Sequence, residues 1–153
     1  MKDIVTPATP TMSSVVGPSV KTIQSAREFL APYICATPIW SPLSVNSHPH
    51  LQQLSSITLK MELMQYTGSF KLRATTLALS QLSETQKSKG VFALSAGNHA
   101  MAVSYTAKQF NTPCTVIMPT SAPEVRQQFC RDMGASVVLL DTIEGCFDKV
   151  DDY

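Results

Sequence analysis

Val91-Phe92-Ala93-Leu94-Ser95-Ala96-Gly97-Asn98-His99-Ala100 reads as a strand that hands over to a helix with almost no spacer. The apolar run at 91–94 is short and ends abruptly, as a buried strand does. Ser95, Ala96 and Gly97 form a small-residue turn, and from Asn98 a helical pattern runs to Phe110. A strand that turns directly into a helix is the unit from which parallel sheets are built.

The same rhythm extends on both sides. Upstream, Ile57-Thr58-Leu59-Lys60 is expected as a short strand and Ser69–Leu82 as a helix. Downstream, Cys114–Met118 reads as a strand, Ala122–Met133 as a helix and Ser136–Leu140 as a strand, with a last helix beginning near Thr142. This alternation implies parallel βαβ units with right-handed crossovers. Nearer the N-terminus, a helix is expected over Thr22–Ile34, with Ile23, Ala26, Leu30 and Ile34 on one face. Pro32 should end it early. Thr37-Pro38-Ile39-Trp40-Ser41-Pro42 must be extended, because each proline disfavours a helical predecessor. Residues 1–20 read as a flexible tail and 46–55 as a loop. No internal repeat is visible.

A chain of 153 residues is long enough to bury a core. At 44% hydrophobic and 15% charged it is neither disordered throughout nor fibrous. Twelve Lys and Arg against eleven Asp and Glu leave a net charge of +1, which gives no electrostatic case for nucleic acid or an anionic membrane. Its densest apolar run, Val137-Val138-Leu139-Leu140, is far too short to span a bilayer. Cys35, Cys114, Cys130 and Cys146 are widely spaced and form no C-x-x-C pair, so no metal framework is expected. The N-terminus lacks the apolar core of a secretory signal, which makes the cytoplasm the default compartment.

Chemistry concentrates at two strand-to-helix junctions. In Gln65-Tyr66-Thr67-Gly68-Ser69-Phe70-Lys71-Leu72-Arg73, Gly68 permits a tight turn and Ser69 is a natural N-cap. Lys71 then falls in the first helical turn, where the positive end of the dipole and nearby Arg73 both disfavour the ammonium. A nucleophilic amine is one reading of that placement, and an ordinary solvated lysine is the other. At the second junction, Ser95-Ala96-Gly97-Asn98-His99 offers small residues, a hydroxyl, an amide and free helix-start N–H groups, which suit an anion. The plainer alternative is a simple βα turn capped by Asn98.

In this order the two junctions resemble the lysine segment and the asparagine loop of fold-type II pyridoxal-phosphate enzymes. The likeness is nearest to the threonine/serine ammonia-lyase (threonine dehydratase) and serine racemase group. It extends from about residue 22 to residue 145 and includes Thr37-Pro38-Ile39, Leu59–Gln65, Val116-Ile117-Met118-Pro119 with Ala122-Pro123, and Gly134–Leu139. It implies an α/β, three-layer parallel-sheet fold of the tryptophan synthase beta-like type, present here as an N-terminal portion over 21–153. Lys71 would be the catalytic residue, joined to pyridoxal 5′-phosphate as an imine and later moving a proton. Phe70 would lie beside the cofactor and Asn98 would bond its ring oxygen. Ser95, Ala96, Gly97, Asn98 and His99 would form the substrate-carboxylate site, with no metal among the residues present. The implied reaction is β-elimination of L-threonine or L-serine to a 2-oxo acid and ammonia, with the cofactor as electron sink.

Within the group, serine racemases carry a second serine where this chain has Ala96. Racemisation needs proton donors on both faces of the substrate and elimination needs one, so Ala96 favours the lyase. His99, where cysteine-synthase relatives carry threonine, argues against that branch. Ala74 replaces the family's usual glycine, a swap tolerable inside a helix. The family's phosphate loop, pyridine-nitrogen partner and metal ligands have no counterpart within 1–153. The resemblance therefore also admits an inactive fragment or a non-catalytic truncated paralogue, with serine racemase as the alternative inside the family. A homo-oligomer and a role in amino-acid metabolism, isoleucine biosynthesis included, are further implications.

Overall fold

The computed structural model describes residues 17–41 and 56–148. The expectations for most of the tail, for the loop at 46–55 and for the chain end beyond 148 lie outside these residues. Helix α1 covers Val20–Leu30, β1 Ile39–Trp40 and β2 Leu59–Lys60, followed by a 3₁₀ turn over Glu62–Met64. Then come α2 (Lys71–Ser80), α3 (Glu84–Lys89), β3 (Val91–Leu94), α4 (Asn98–Gln109), β4 (Cys114–Pro119), α5 (Glu124–Asp132), β5 (Ser136–Leu140) and α6 (Ile143–Asp148).

Strands β3, β4 and β5 form a parallel sheet in that order, with Val91 beside Cys114 and Thr115 beside Ser136 at the near ends of the two ladders. Central β4 is covered on both faces. Val116, Ile117 and Met118 point alternately to opposite sides, and all three are inaccessible. Ala100, Val103 and Ala107 of α4, Cys130 of α5 and Leu79 of α2 complete the core with Ala93, Val116 and Met118. The alanines keep α4 close to the sheet, since no long side chain intervenes.

Several boundaries differ from expectation for local reasons. Helix α1 starts at Val20 because Ser19 Oγ accepts the Thr22 N–H at 3.1 Å, and it stops at Leu30, two residues before Pro32. Of its expected buried face, Leu30 is buried, Ala26 is half-buried and Ile23 is exposed. The helix expected over Ser69–Leu82 is α2 alone, limited to Lys71–Ser80, and a second helix not expected from the sequence, α3, follows it. A capping box starts the second: Gln86 N–H donates to Ser83 Oγ at 3.2 Å and Ser83 N–H to Gln86 Oε1 at 2.9 Å. Gly90 ends α3 at φ +89°, where a Cβ would lie 2.9 Å from Pro113 O, so only glycine fits. The strand expected at 57–60 is limited to Leu59–Lys60 and pairs antiparallel with Ile39–Trp40, apart from the parallel sheet.

Candidate active site

The segment carrying Lys71 is fastened to the extended stretch 35–38. Buried Gln65 binds both backbone groups of Cys35, accepting its N–H at 2.7 Å and donating to its carbonyl at 2.9 Å. Lys60 Nζ donates to Thr37 O, and Met61 N–H donates to Pro38 O at 3.0 Å. Glu62 is the hub of the cluster. It accepts two bonds from Arg73, at 2.7 and 2.9 Å, and one from Thr37 Oγ1 at 2.7 Å. The Arg73 hydrogen bonds hold the Glu62 carboxyl below the usual carboxylate range; partial burial opposes this, and Thr37 and the nearby cations add to it. Arg73 is thus engaged with a carboxylate, which offsets the repulsion on Lys71 that the sequence alone suggests.

Gly68 makes the entry turn at φ +69°, as expected. Phe70 has helical torsions at the cap position of α2, and Ser69 Oγ accepts the Lys71 N–H at 3.4 Å. The cap thus sits one residue later than Ser69, because the 68–70 turn already places Phe70 in helical geometry. Lys71 is the first residue of α2. Its Nζ lies 5.3 Å from the Phe70 ring centroid and has no carboxylate partner among the described residues.

Helix α2 packs on α4 through hydroxyls. Thr75 Oγ1 donates to Ala102 O at 3.4 Å and meets Thr106 Oγ1 at 3.0 Å, and Thr76 joins the same buried cluster. One turn back from Thr75 is Lys71, and one turn back from Ala102 is Asn98. The two helix starts lie at the same end of the pair, and the Lys71 charge reaches His99. His99 is exposed overall, yet its imidazolium is held below the ordinary histidine range, first by water lost where the ring meets protein and then by Lys71.

The asparagine loop follows β3 at the carboxyl end of the parallel strands, where such sheets place their ligands. Ser95 N–H donates to Ile117 O at 3.0 Å, and Ser95 Oγ accepts the Gly97 N–H at 3.2 Å. Gly97, not Asn98, occupies the cap position of α4. The backbone N–H groups of Asn98, His99 and Ala100 have no acceptor among the described residues, and neither does the Asn98 amide. At Gly97, φ is −131° and a Cβ would find one ordinary contact, Arg126 NH1 at 3.6 Å. Neither torsion nor packing demands glycine there, so the space beside its Cα is open to a ligand. Ala96 O accepts from Arg126 NH1 at 3.2 Å.

The structure thus brings Lys71, Phe70 and His99 to one end of the α2–α4 pair, with Ser95, Ala96, Gly97 and Asn98 on the adjoining loop. Glu62, Gln65 and Arg126 were missed in the sequence because their partners are 11 to 30 residues away. An open cavity of about 950 Å³ lies elsewhere, bordered by Arg27, Cys35, Lys60 and Arg73. Neither Lys71 nor Asn98 borders it.

Residues 30–153 match the family model of pyridoxal-phosphate dependent enzymes. The chain belongs to this family. It is 37% identical over 123 residues to the protein named L-threonine dehydratase catabolic TdcB of Staphylococcus aureus (strain USA300), covering 79% of this chain and 34% of that relative. A solved serine racemase from Dictyostelium discoideum superposes with a TM-score of 0.75 at 32% identity, over 86% of this chain and 42% of that one. The processed form of threonine deaminase isoform 2 from Solanum lycopersicum gives 0.68 at 28% identity, over 85% and 38%. This pyridoxal-phosphate family member spans about a third of the length of the curated relatives it matches. Its α/β architecture with a parallel sheet is the fold of those fold-type II neighbours. No helix among the described residues is long and apolar enough to cross a membrane.

The residues present suit the family's cofactor. Among the described residues, an amine without an acid partner lies at the same end of the α2–α4 pair as backbone donors without an acceptor, an amide without a partner and an uncrowded glycine.

Proposed function

We propose that this chain carries the lysine and carboxylate-binding parts of a pyridoxal-phosphate-dependent ammonia-lyase acting on L-threonine or L-serine. The supporting observation is the pairing of an acid-free Lys71 at the start of α2 with the unsatisfied donors at the start of α4. When bound, the cofactor supplies an electron sink that makes the α-proton of an amino acid removable. Lys71 Nζ would hold that group and would be the base available for the α-proton. Phe70 would lie beside it, and Asn98 would offer it a side-chain amide. The Ser95 hydroxyl, the open face of Gly97 and the N–H groups of Asn98, His99 and Ala100 receive the substrate carboxylate. His99 binds here as a neutral ring.

Ala96 supports elimination over racemisation, since it places no hydroxyl where a second proton donor would stand. The serine racemase likeness keeps that activity as the alternative within the family. The Staphylococcus aureus relative is named catabolic, and we propose no isoleucine-biosynthetic setting. We expect no turnover from this span alone, and we place it in a homo-oligomeric assembly.

The test adds pyridoxal phosphate to the purified chain and follows the absorption band that develops when the cofactor bonds a lysine amine. Lys71→Ala should abolish it. A band that survives this substitution overturns the role of Lys71. A band with no 2-oxo acid from threonine or serine supports the fragment and rejects catalysis by this chain alone.

A further inference from the structure

Arg126 is a misplaced charge by the ordinary rule of helices. It is the third residue of α5, where a cation meets the positive end of the dipole. Arg27, Lys87, Lys89, Lys108 and Arg131 sit in last turns, where the dipole favours them, while Lys21, Lys71 and Arg73 share the first-turn placement of Arg126. Arg131 has Glu124 at 3.6 Å, whereas half-buried Arg126 has no carboxylate partner among the described residues. Among the described residues, its one side-chain hydrogen bond runs from NH1 to Ala96 O at 3.2 Å, across 30 residues of sequence.

That bond has a geometric consequence. Ala96 C=O and Gly97 N–H belong to one planar trans peptide and point in opposite directions. The carbonyl is held by Arg126 and the N–H by Ser95 Oγ at 3.2 Å. The 96–97 peptide is therefore fixed at both edges. Its plane sets the direction of the Ser95 hydroxyl on one side and of the Asn98, His99 and Ala100 donors on the other. A guanidinium spreads one positive charge over its whole plane, so the bond to Ala96 O leaves that charge beside the loop.

We propose that Arg126 is the positioning residue of the Ser95–Ala100 loop, holding the 96–97 peptide in the orientation that receives an amino-acid carboxylate. The carboxylate part rests on the function proposed above; the clamping of the loop does not.

The experiment uses the full chain and two variants, Arg126→Gln and Arg126→Lys. Amide hydrogen exchange at Ser95 and Gly97 should rise about tenfold in Arg126→Gln, while exchange in the α4 interior and the urea midpoint stay unchanged. Arg126→Lys, which keeps a cationic donor, should restore most of the protection. With pyridoxal phosphate added, the L-threonine concentration giving half the spectral change should also rise about tenfold in Arg126→Gln, with cofactor affinity held within about threefold. Unchanged exchange at Ser95 and Gly97, or faster exchange everywhere together with a lower midpoint, overturns the positioning role. A chain that never bonds the cofactor through Lys71 overturns the proposed function instead, and the exchange result still decides Arg126.

Discussion

The Arg73 guanidinium grips the Glu62 carboxylate through two bonds, Nε to Oε2 at 2.9 Å and NH2 to Oε1 at 2.7 Å. Glu62 follows β2 and Arg73 sits in the first turn of α2, so this pair closes the segment that presents Lys71. The same carboxylate takes the Thr37 hydroxyl, which ties that segment to the extended stretch before β1. A bidentate guanidinium pair is directional, and lysine at position 73 would not reproduce it.

Glu62→Gln should therefore destabilise the chain by about 1–3 kcal/mol, because it leaves Arg73 and Thr37 poorly matched. The pH dependence has a definite sign. Glu62 titrates below its unfolded value, so its contribution is complete above that value and is lost as pH falls through the folded one. Urea unfolding below about pH 4 should show a steeper loss in the parent than in Glu62→Gln. Parallel pH curves for the two proteins would reject the clasp as a source of stability.

Thiol reactivity should divide the cysteines. Burial pushes the Cys114 thiol up to about 11 and raises Cys130 and Cys146 as well, while Cys35 is half-buried beside Gln65. The thiolate is the reactive form, so a thiol reagent at pH 7.5–8, near the ordinary thiol range of about 8.5, should label Cys35 first. The other three should react only on unfolding. Mass spectrometry of partly labelled chain checks this, and early modification of Cys114 would contradict the packing described.

The sheet and its helices were legible because their signals are local. Val91–Leu94 and Ser136–Leu140 are apolar runs with sharp ends, and their limits in the structure are those read from the sequence. The lysine and asparagine junctions were legible for the same reason. Helix α3 was readable only in Ser83 and Gln86, a capping-box spacing, because its residues Glu84–Lys89 are all polar and carry no apolar period. What no local pattern shows is pairing at a distance. The β1–β2 ribbon, the Glu62 hub, the buried Thr75–Thr106 contact and the reach of Arg126 all depend on the chain having already folded.

The meeting of Lys71 and His99 can be measured directly. Desolvation and the Lys71 charge both lower the His99 pKa, so removing the charge should raise it part of the way towards the ordinary value of about 6.5. An NMR titration of the imidazole in the parent and in Lys71→Ala reads the change. Lys71→Arg, which keeps a positive charge, should leave His99 near its parent value. Identical titrations in the parent and Lys71→Ala would mean that the two helix starts are not neighbours.

Gly97 separates what the fold needs from what a ligand needs. Its torsions are open to any L residue, and an added methyl would meet only Arg126 NH1 at an ordinary 3.6 Å. Gly97→Ala should therefore fold with stability within about 1 kcal/mol of the parent, helped by the lower entropy of the unfolded chain. The methyl would nevertheless occupy the space through which a carboxylate approaches the N–H groups of α4. Binding of L-threonine to the cofactor-loaded chain should fall by about tenfold or more, a penalty of about 1.4 kcal/mol. If Gly97→Ala bound threonine as the parent does, the loop would be a plain βα turn, and the carboxylate site would have to be sought elsewhere on the chain.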